Sequence, residues 1–307
     1  HDRRDFLLAS KFPTFIRPAE DQVENIFQEQ LDKCGVEYFD YYLLHNLNRE
    51  IYATEVKDAH LFDHMKQWKE QGKIKHIAFS YHDDAAHLDE ILTEHPEVEA
   101  VQIALNYYDW EEPFMQAKKC YDVIRKHGAQ VIVMEPVKGG SLASMNNEIQ
   151  GIMKAQNPEL SIPSWAVRFC AGLDNILTVL SGMSTKAQLD DNVSYMEHFE
   201  PLSDKEHEVL KTVVEKLNAI PTIPCTGCRY CVDDCPMQIH IPDIFRAVNH
   251  QKQFGSEGNV DRSGYESATR EGGKASECLH CGSCEAHCPQ HIHIIEELED
   301  AAKRFEG

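Results

Sequence analysis

The 307-residue chain has no unbroken apolar run approaching the ~20 residues that a membrane-spanning helix needs, and its mean hydropathy is −0.47. A membrane span is excluded. Positive charge is also scarce: 30 Lys plus Arg stand against 51 Asp plus Glu, a formal net charge of −21. Such a field repels phosphate backbones and anionic lipid heads, which excludes nucleic acid and membrane surfaces as partners. Glycine (16) and proline (13) are too few for a collagen-like or low-complexity chain. No G-x-G-x-x-G opens a helical stretch, so the usual fingerprint of an open dinucleotide-binding sheet is missing. Nor is cysteine spread as a disulfide framework. Eight of the eleven fall in two tight clusters after residue 224, leaving Cys34, Cys120 and Cys170 scattered. That clustering points to metal in a reducing compartment, hence the cytoplasm. Arg3-Arg4-Asp5-Phe6-Leu7 does not begin an export signal, because Lys11, Pro13 and Arg17 interrupt the apolar run that should follow.

What is present is ordinary globular composition, 42% hydrophobic and 26% charged, in a chain long enough for one large domain and a small one. Before residue 200, short apolar runs alternate with amphipathic stretches. Strands are predicted at 5–11, 38–45, 74–80, 100–106, 130–135 and 176–182. Helices are predicted at 20–34, 59–71, 84–94, 112–127, 163–172 and 185–198. Continuous runs such as Gln130-Val131-Ile132-Val133-Met134 suit a parallel sheet buried on both faces. Six successive βα units fit either an open doubly wound sheet or most of an eightfold barrel, and the absent glycine fingerprint favours the barrel. Polar residues close the strands: Lys11, His45, Ser80, Asn106 and Glu135. In a parallel barrel these ends share one face, where barrel enzymes place their chemistry.

Residues 5–198 resemble the aldo-keto reductase superfamily, in the branch with a ferredoxin-like tail. The matching segments are Ala9-Ser10-Lys11, Asp40-Tyr41-Tyr42-Leu43-Leu44-His45, Ala78-Phe79-Ser80, Val101-Gln102 with Asn106, Glu135-Pro136 with Gly139-Gly140, and Ser181-Gly182 leading to Gln188-Leu189 and Asn192. They follow the third to eighth units of a TIM-type (β/α)8 barrel in order. The resemblance implies hydride transfer from NADP(H) or NAD(H) to a small carbonyl substrate, with a tyrosine as proton donor tuned by a lysine and an aspartate. Lys11 takes the lysine's place, and His45 that of the histidine orienting the carbonyl. Ser80, Gln102 and Asn106 are expected at the nicotinamide carboxamide, and Glu135, Pro136, Gln188 and Asn192 elsewhere along the cofactor. The family's aspartate and tyrosine belong to its first two units, which do not occur in residues 1–307. The expectation is that an N-terminal portion was removed or is supplied separately, since a barrel lacking two strands exposes open edges. Tyr81 stands where the family commonly has asparagine, and Met134 where many members stack an aromatic ring on the nicotinamide. Around Gly182 and Gln188, where basic residues often grip a 2′-phosphate, only Lys186 is basic, so NADH and NADPH are not distinguished.

The cysteine-rich tail carries the most specific motif. Cys225, Cys228, Cys231 and Cys235 precede Pro236, and Cys278, Cys281, Cys284 and Cys288 precede Pro289, so CxxCxxCxxxCP occurs twice. Thiolates at these spacings wrap a cubane cluster, three from the compact run and the fourth reaching across to the other cluster. Two [4Fe-4S] clusters are expected, one on Cys225, Cys228, Cys231 and Cys288, the other on Cys278, Cys281, Cys284 and Cys235. Ile239-His240-Ile241 recurs as Ile292-His293-Ile294 at the same offset of 53, which marks an internal duplication. Four thiolates also suit structural zinc, but the third cysteine after two more residues and the trailing proline favour iron and sulfide. His287, His291 and His293 are read as surface or supporting residues, and the scattered cysteines as small hydrophobes.

The domains are thus 1–200, barrel; 201–220, a connector helix; and 221–307, ferredoxin-like, with a helix at 242–253 and a loop at 254–276. Nicotinamides deliver two electrons together whereas each cluster moves one, and no flavin motif is visible to split the pair. Three readings follow. The barrel reduces carbonyls while the clusters serve structure or sensing. Alternatively, a flavin or a redox partner protein links the two, or the chain is a non-catalytic electron-transfer or binding subunit.

Overall fold

The structure, a computed structural model, describes residues 2–113, 115–255 and 260–307. It divides into two compact units, His1–Pro136 with Ala166–Pro201, and Val137–Trp165 with Leu202–Gly307.

The first unit is built on six parallel strands: β1 (Ala9–Phe12), β2 (Phe39–Leu47), β3 (Ile74–Tyr81), β4 (Ala100–Ala104), β5 (Gln130–Met134) and β6 (Ile176–Val179). They pair in strictly consecutive order. A doubly wound sheet reverses its strand order at a switch point, so this order is the barrel's. The register places Lys11 beside Leu43, Leu43 beside Ala78, and Ala78 beside Ala100. Tyr41, Leu43, Ala78, Ala100 and Ile132, with Leu177, pack together as the inner face. Alternate residues face outward under helices. Helix Glu20–Cys34 buries Val23, Phe27 and Leu31 at helical spacing and ends at Gly35, whose φ of 63° suits a residue without Cβ. Phe27 stacks on Trp68 of helix Leu61–Glu70 at 3.9 Å, and the indole donates to Glu24 at 2.6 Å. At the foot of the sheet, Asp40 accepts from Arg3 at 2.7 Å, Lys75 at 2.8 Å and the Leu8 amide at 2.8 Å. Burial raises its pKa, but these donors together outweigh it and hold the carboxyl at about 2.

Several boundaries move: β2 runs on to Leu47 rather than 45, and β4 and β6 end at Ala104 and Val179 rather than 106 and 182. The first strand begins at Ala9 rather than 5, because Asp2 caps a 3-10 turn over Arg3–Asp5. The helix predicted at 112–127 shortens to Ala117–Lys126, after Gln116 at φ 51°; residue 114 lies outside the described residues.

In the second unit, helix Asn147–Gln156 packs on helix Asp204–Asn218, where Lys216 meets Glu148 at 2.7 Å. The compact units therefore do not divide at residue 200. The cysteine region repeats its backbone: short helix Tyr230–Asp233 matches Ser283–Ala286, and helix Ile241–Phe254 matches Ile294–Phe305. Left-handed residues recur at the 53-residue offset, Gly227 (72°) with His280 (55°), Arg229 (65°) with Gly282 (76°), and Gln238 (51°) with His291 (52°). The stretch 254–276 is not all loop. Helix Val260–Ala268 occupies part of it, and residues 256–259 lie outside the described residues. Gly272 and Gly273 lie so close to the backbone of Met237 and Gln238 that a Cβ would come within 2.5 Å and 2.4 Å of its carbonyl oxygens.

Candidate functional site

The period of two along the strands decides what meets at the barrel mouth. Leu43, Ala78, Ala100 and Ile132 point inward, so Lys11, His45, Ser80, Gln102 and Met134 share that face at the carboxyl ends. After His45 the register shifts and Asn46 turns to φ 60°. Ser80 Oγ accepts the Asn46 amide at 2.8 Å, and Thr14 Oγ1 donates to the His45 carbonyl, which fixes the end of β2. Phe15 meets the His45 ring edge-on at 5.7 Å.

Burial lowers the Lys11 pKa, and burial followed by the Lys11 charge lowers that of His45. A third basic group joins them. His82, two residues beyond Ser80 on the same face, has its pKa lowered by burial, then by His45, then by Lys11. Among the described residues no carboxylate offsets these charges. His82 is absent from the motif-based expectations, although extending the alternation of β3 by one more step would have found it.

Other expected cofactor contacts are engaged elsewhere. Gln102 stays at the mouth and donates to Met134 Sδ at 3.1 Å. Asn106 is wholly buried: its amide donates to Asp109 and to the Glu135 carbonyl, while its oxygen accepts the amides of Tyr108 and Asp109. It scaffolds its own loop. Glu135 is exposed at φ 58°, and Pro136 is buried. Gln188 caps its helix, accepting from Ser184 at 2.7 Å and Thr185 at 3.1 Å. Asn192 donates to Ser181 at 2.7 Å and accepts from Tyr195. Two phenols near the strand ends are occupied or buried: Tyr81 donates to the Asp84 carbonyl at 2.7 Å, and burial drives the Tyr107 pKa up. Cys120, pushed up to about 12 by burial, and Cys170, raised likewise, stay unreactive thiols.

In the second unit the eight tail cysteines surround two hollows. Cys225, Cys228, Cys231 and Cys288 line one with Phe245 and Ile292; Cys278, Cys281, Cys284 and Cys235 line the other with Ile239 and Leu298. Each set takes three thiols from one run and the fourth from the other. Burial, then the thiols of Cys225 and Cys278 respectively, pushes Cys231 and Cys284 up to about 11, so their thiolates need a cation to persist. Among the described residues no three His, Cys, Asp or Glu side chains close on a single metal ion. Thiols ringing an apolar hollow fit an iron–sulfur group several ångströms across better than one zinc. His287 turns away to Asp234 at 2.7 Å.

No curated protein matches the chain. Among solved structures it is similar in fold to aldo-keto reductase AKR11C1 from Bacillus halodurans, with 18% identity, a TM-score of 0.53, and coverage of 69% of this chain and 73% of that one. An aldo-keto reductase from Klebsiella pneumoniae in complex with NADPH gives 14%, 0.55, 69% and 71%. An aldo/keto reductase from Brucella melitensis gives 18%, 0.54, 69% and 75%. The family model for a 4Fe-4S dicluster domain matches residues 224–293, and that of the aldo/keto reductase family matches residues 1–215. With its barrel order, its strand-end lysine and histidine and this match over most of its length, the chain belongs to the aldo/keto reductase family and carries a 4Fe-4S dicluster domain later in the sequence.

Proposed function

We propose that this iron–sulfur oxidoreductase reduces small carbonyl compounds with NAD(P)H in the cytoplasm, through a barrel domain at 1–200, a connector at 201–220 and a dicluster domain at 221–307. The observation that carries it is the pairing of Lys11 and His45 on the inner face at the ends of adjacent strands. The nicotinamide, when bound, supplies the hydride. Gln102 stands where an amide can bind its carboxamide, His45 donates a hydrogen bond to the substrate oxygen, and the Lys11 ammonium stabilises a phenolate and so strengthens a phenol as acid. Tyr81 and Tyr107 are not placed to give that proton. The eight tail cysteines hold two [4Fe-4S] clusters in the crossed pattern of the two hollows.

The test is NADPH and NADH oxidation with a panel of aldehydes and ketones by anaerobically purified protein. Turnover that Lys11→Met lowers about 10²-fold supports the proposal; absence of both nicotinamide binding and turnover counts against it. The engaged phenols favour one second reading, a subunit in which the clusters exchange electrons with a flavin or partner protein. Oxidation of the reduced clusters by free flavin, without carbonyl reduction, would select it.

A further inference from the structure

The duplication places two thiol-lined hollows in closely matched surroundings. Cys228 and Cys281 are both exposed, Cys231 and Cys284 both 7% exposed, and the left-handed residues recur in register. Solvent access and backbone path are thus largely equal, and both act on the potential of a cluster. Charge differs. Arg229 lines the first hollow, and its counterpart at the second is Gly282. Arg229 and Arg246 share Asp243, at 2.9 Å and 3.2 Å, a set of charge +1. The corresponding positions in the second repeat are Gly282, Glu296 and Glu299, a set of charge −2. His280 lies 3.7 Å from Glu299. Glu277 and Glu285 flank Cys278 and Cys284, where the first repeat has Pro224 and Val232; Asp233 and Asp234 of the first repeat correspond to Ala286 and His287, and with both pairs included the second repeat stays the more negative. Added negative charge disfavours the reduced state, which carries one more electron.

We propose that the two clusters are unequal in potential. The cluster on Cys225, Cys228, Cys231 and Cys288 is reduced first and retains the electron, and the cluster on Cys278, Cys281, Cys284 and Cys235 is the stronger reductant. A one-electron reductant loads either; one electron then moves from the second to the first, oxidising one cluster as it reduces the other. This rests on the cluster reading above.

The experiment is an anaerobic potentiometric titration of the full holoprotein, with dithionite as reductant and electron paramagnetic resonance as readout. Two steps are expected, separated by at least tenfold in equilibrium constant, about 59 mV for one electron. Arg229→Gly, which places at φ 65° the residue found at the matching position, lowers the upper step and leaves the lower in place. Gly282→Arg raises the lower step. A single step in the wild type, or an Arg229→Gly change confined to the lower step, overturns the ordering. Iron well short of eight per chain instead overturns the cluster reading itself.

Discussion

The two units assemble their candidate functional side chains in opposite ways. In the barrel unit each group comes from a different strand, Lys11 from β1, His45 from β2 and Gln102 from β4, so the site exists only when the parallel register is right. In the second unit three thiols of each set lie three residues apart on one loop, held by left-handed turns, and a single long-range thiol completes the set. A site spread over a sheet is as fragile as the sheet, whereas a site wound on a loop depends on the group it encloses.

The largest effect should come from that dependence. Cys288→Ser should remove the cluster of the first run and leave about four iron per chain, with Cys235→Ser removing the other. If each change disturbs only the cluster of its own run, the crossing is wrong. In the barrel unit the comparable blow is to packing. Trp68 is wholly buried against Phe27, and Trp68→Ala should cost about 3–5 kcal/mol in denaturant unfolding, while the iron content stays unchanged. Loss of iron in that variant would mean that the two sites are not independent.

Next comes Lys11→Met, expected to lower carbonyl reduction about 10²-fold and to move the pH profile to higher values, as a phenol without its ammonium neighbour has a higher pKa. His45→Ala should lower the rate without moving the profile. A profile unchanged in Lys11→Met would remove the lysine from proton transfer. The smallest effect concerns Asp40. Its folded pKa, about 2, lies below the unfolded value of ~3.9, so its stabilisation is present above pH ~4 and is lost as pH falls towards 2. Asp40→Asn should cost about 1–3 kcal/mol at pH 7 and converge with the wild type near pH 2. A constant difference across that range would contradict the assignment.

The same contrast explains what could be read from the sequence. All six strands, their parallel order and the crossed cysteine sets were legible, because apolar runs and cysteine spacing are local signals. The loop-organising role of Asn106 was not: an asparagine at a strand end gives no local sign of the four hydrogen bonds that it makes in its own loop. His82 lay one alternation past a strand end. Helix Val260–Ala268 was hidden in a stretch of glycine, serine and charge, and helix Asn147–Gln156 carries only Ile149 and Met153 as buried anchors.

The central claim, that the barrel performs hydride transfer, is tested most directly by isotope. NADPH and NADH carrying deuterium at both C4 positions are supplied under anaerobic conditions to the cluster-loaded protein with an aldehyde. The account predicts one deuterium on the carbonyl carbon of the alcohol formed. Alcohol without deuterium, or consumption of the nicotinamide that reduces only the clusters, would contradict it.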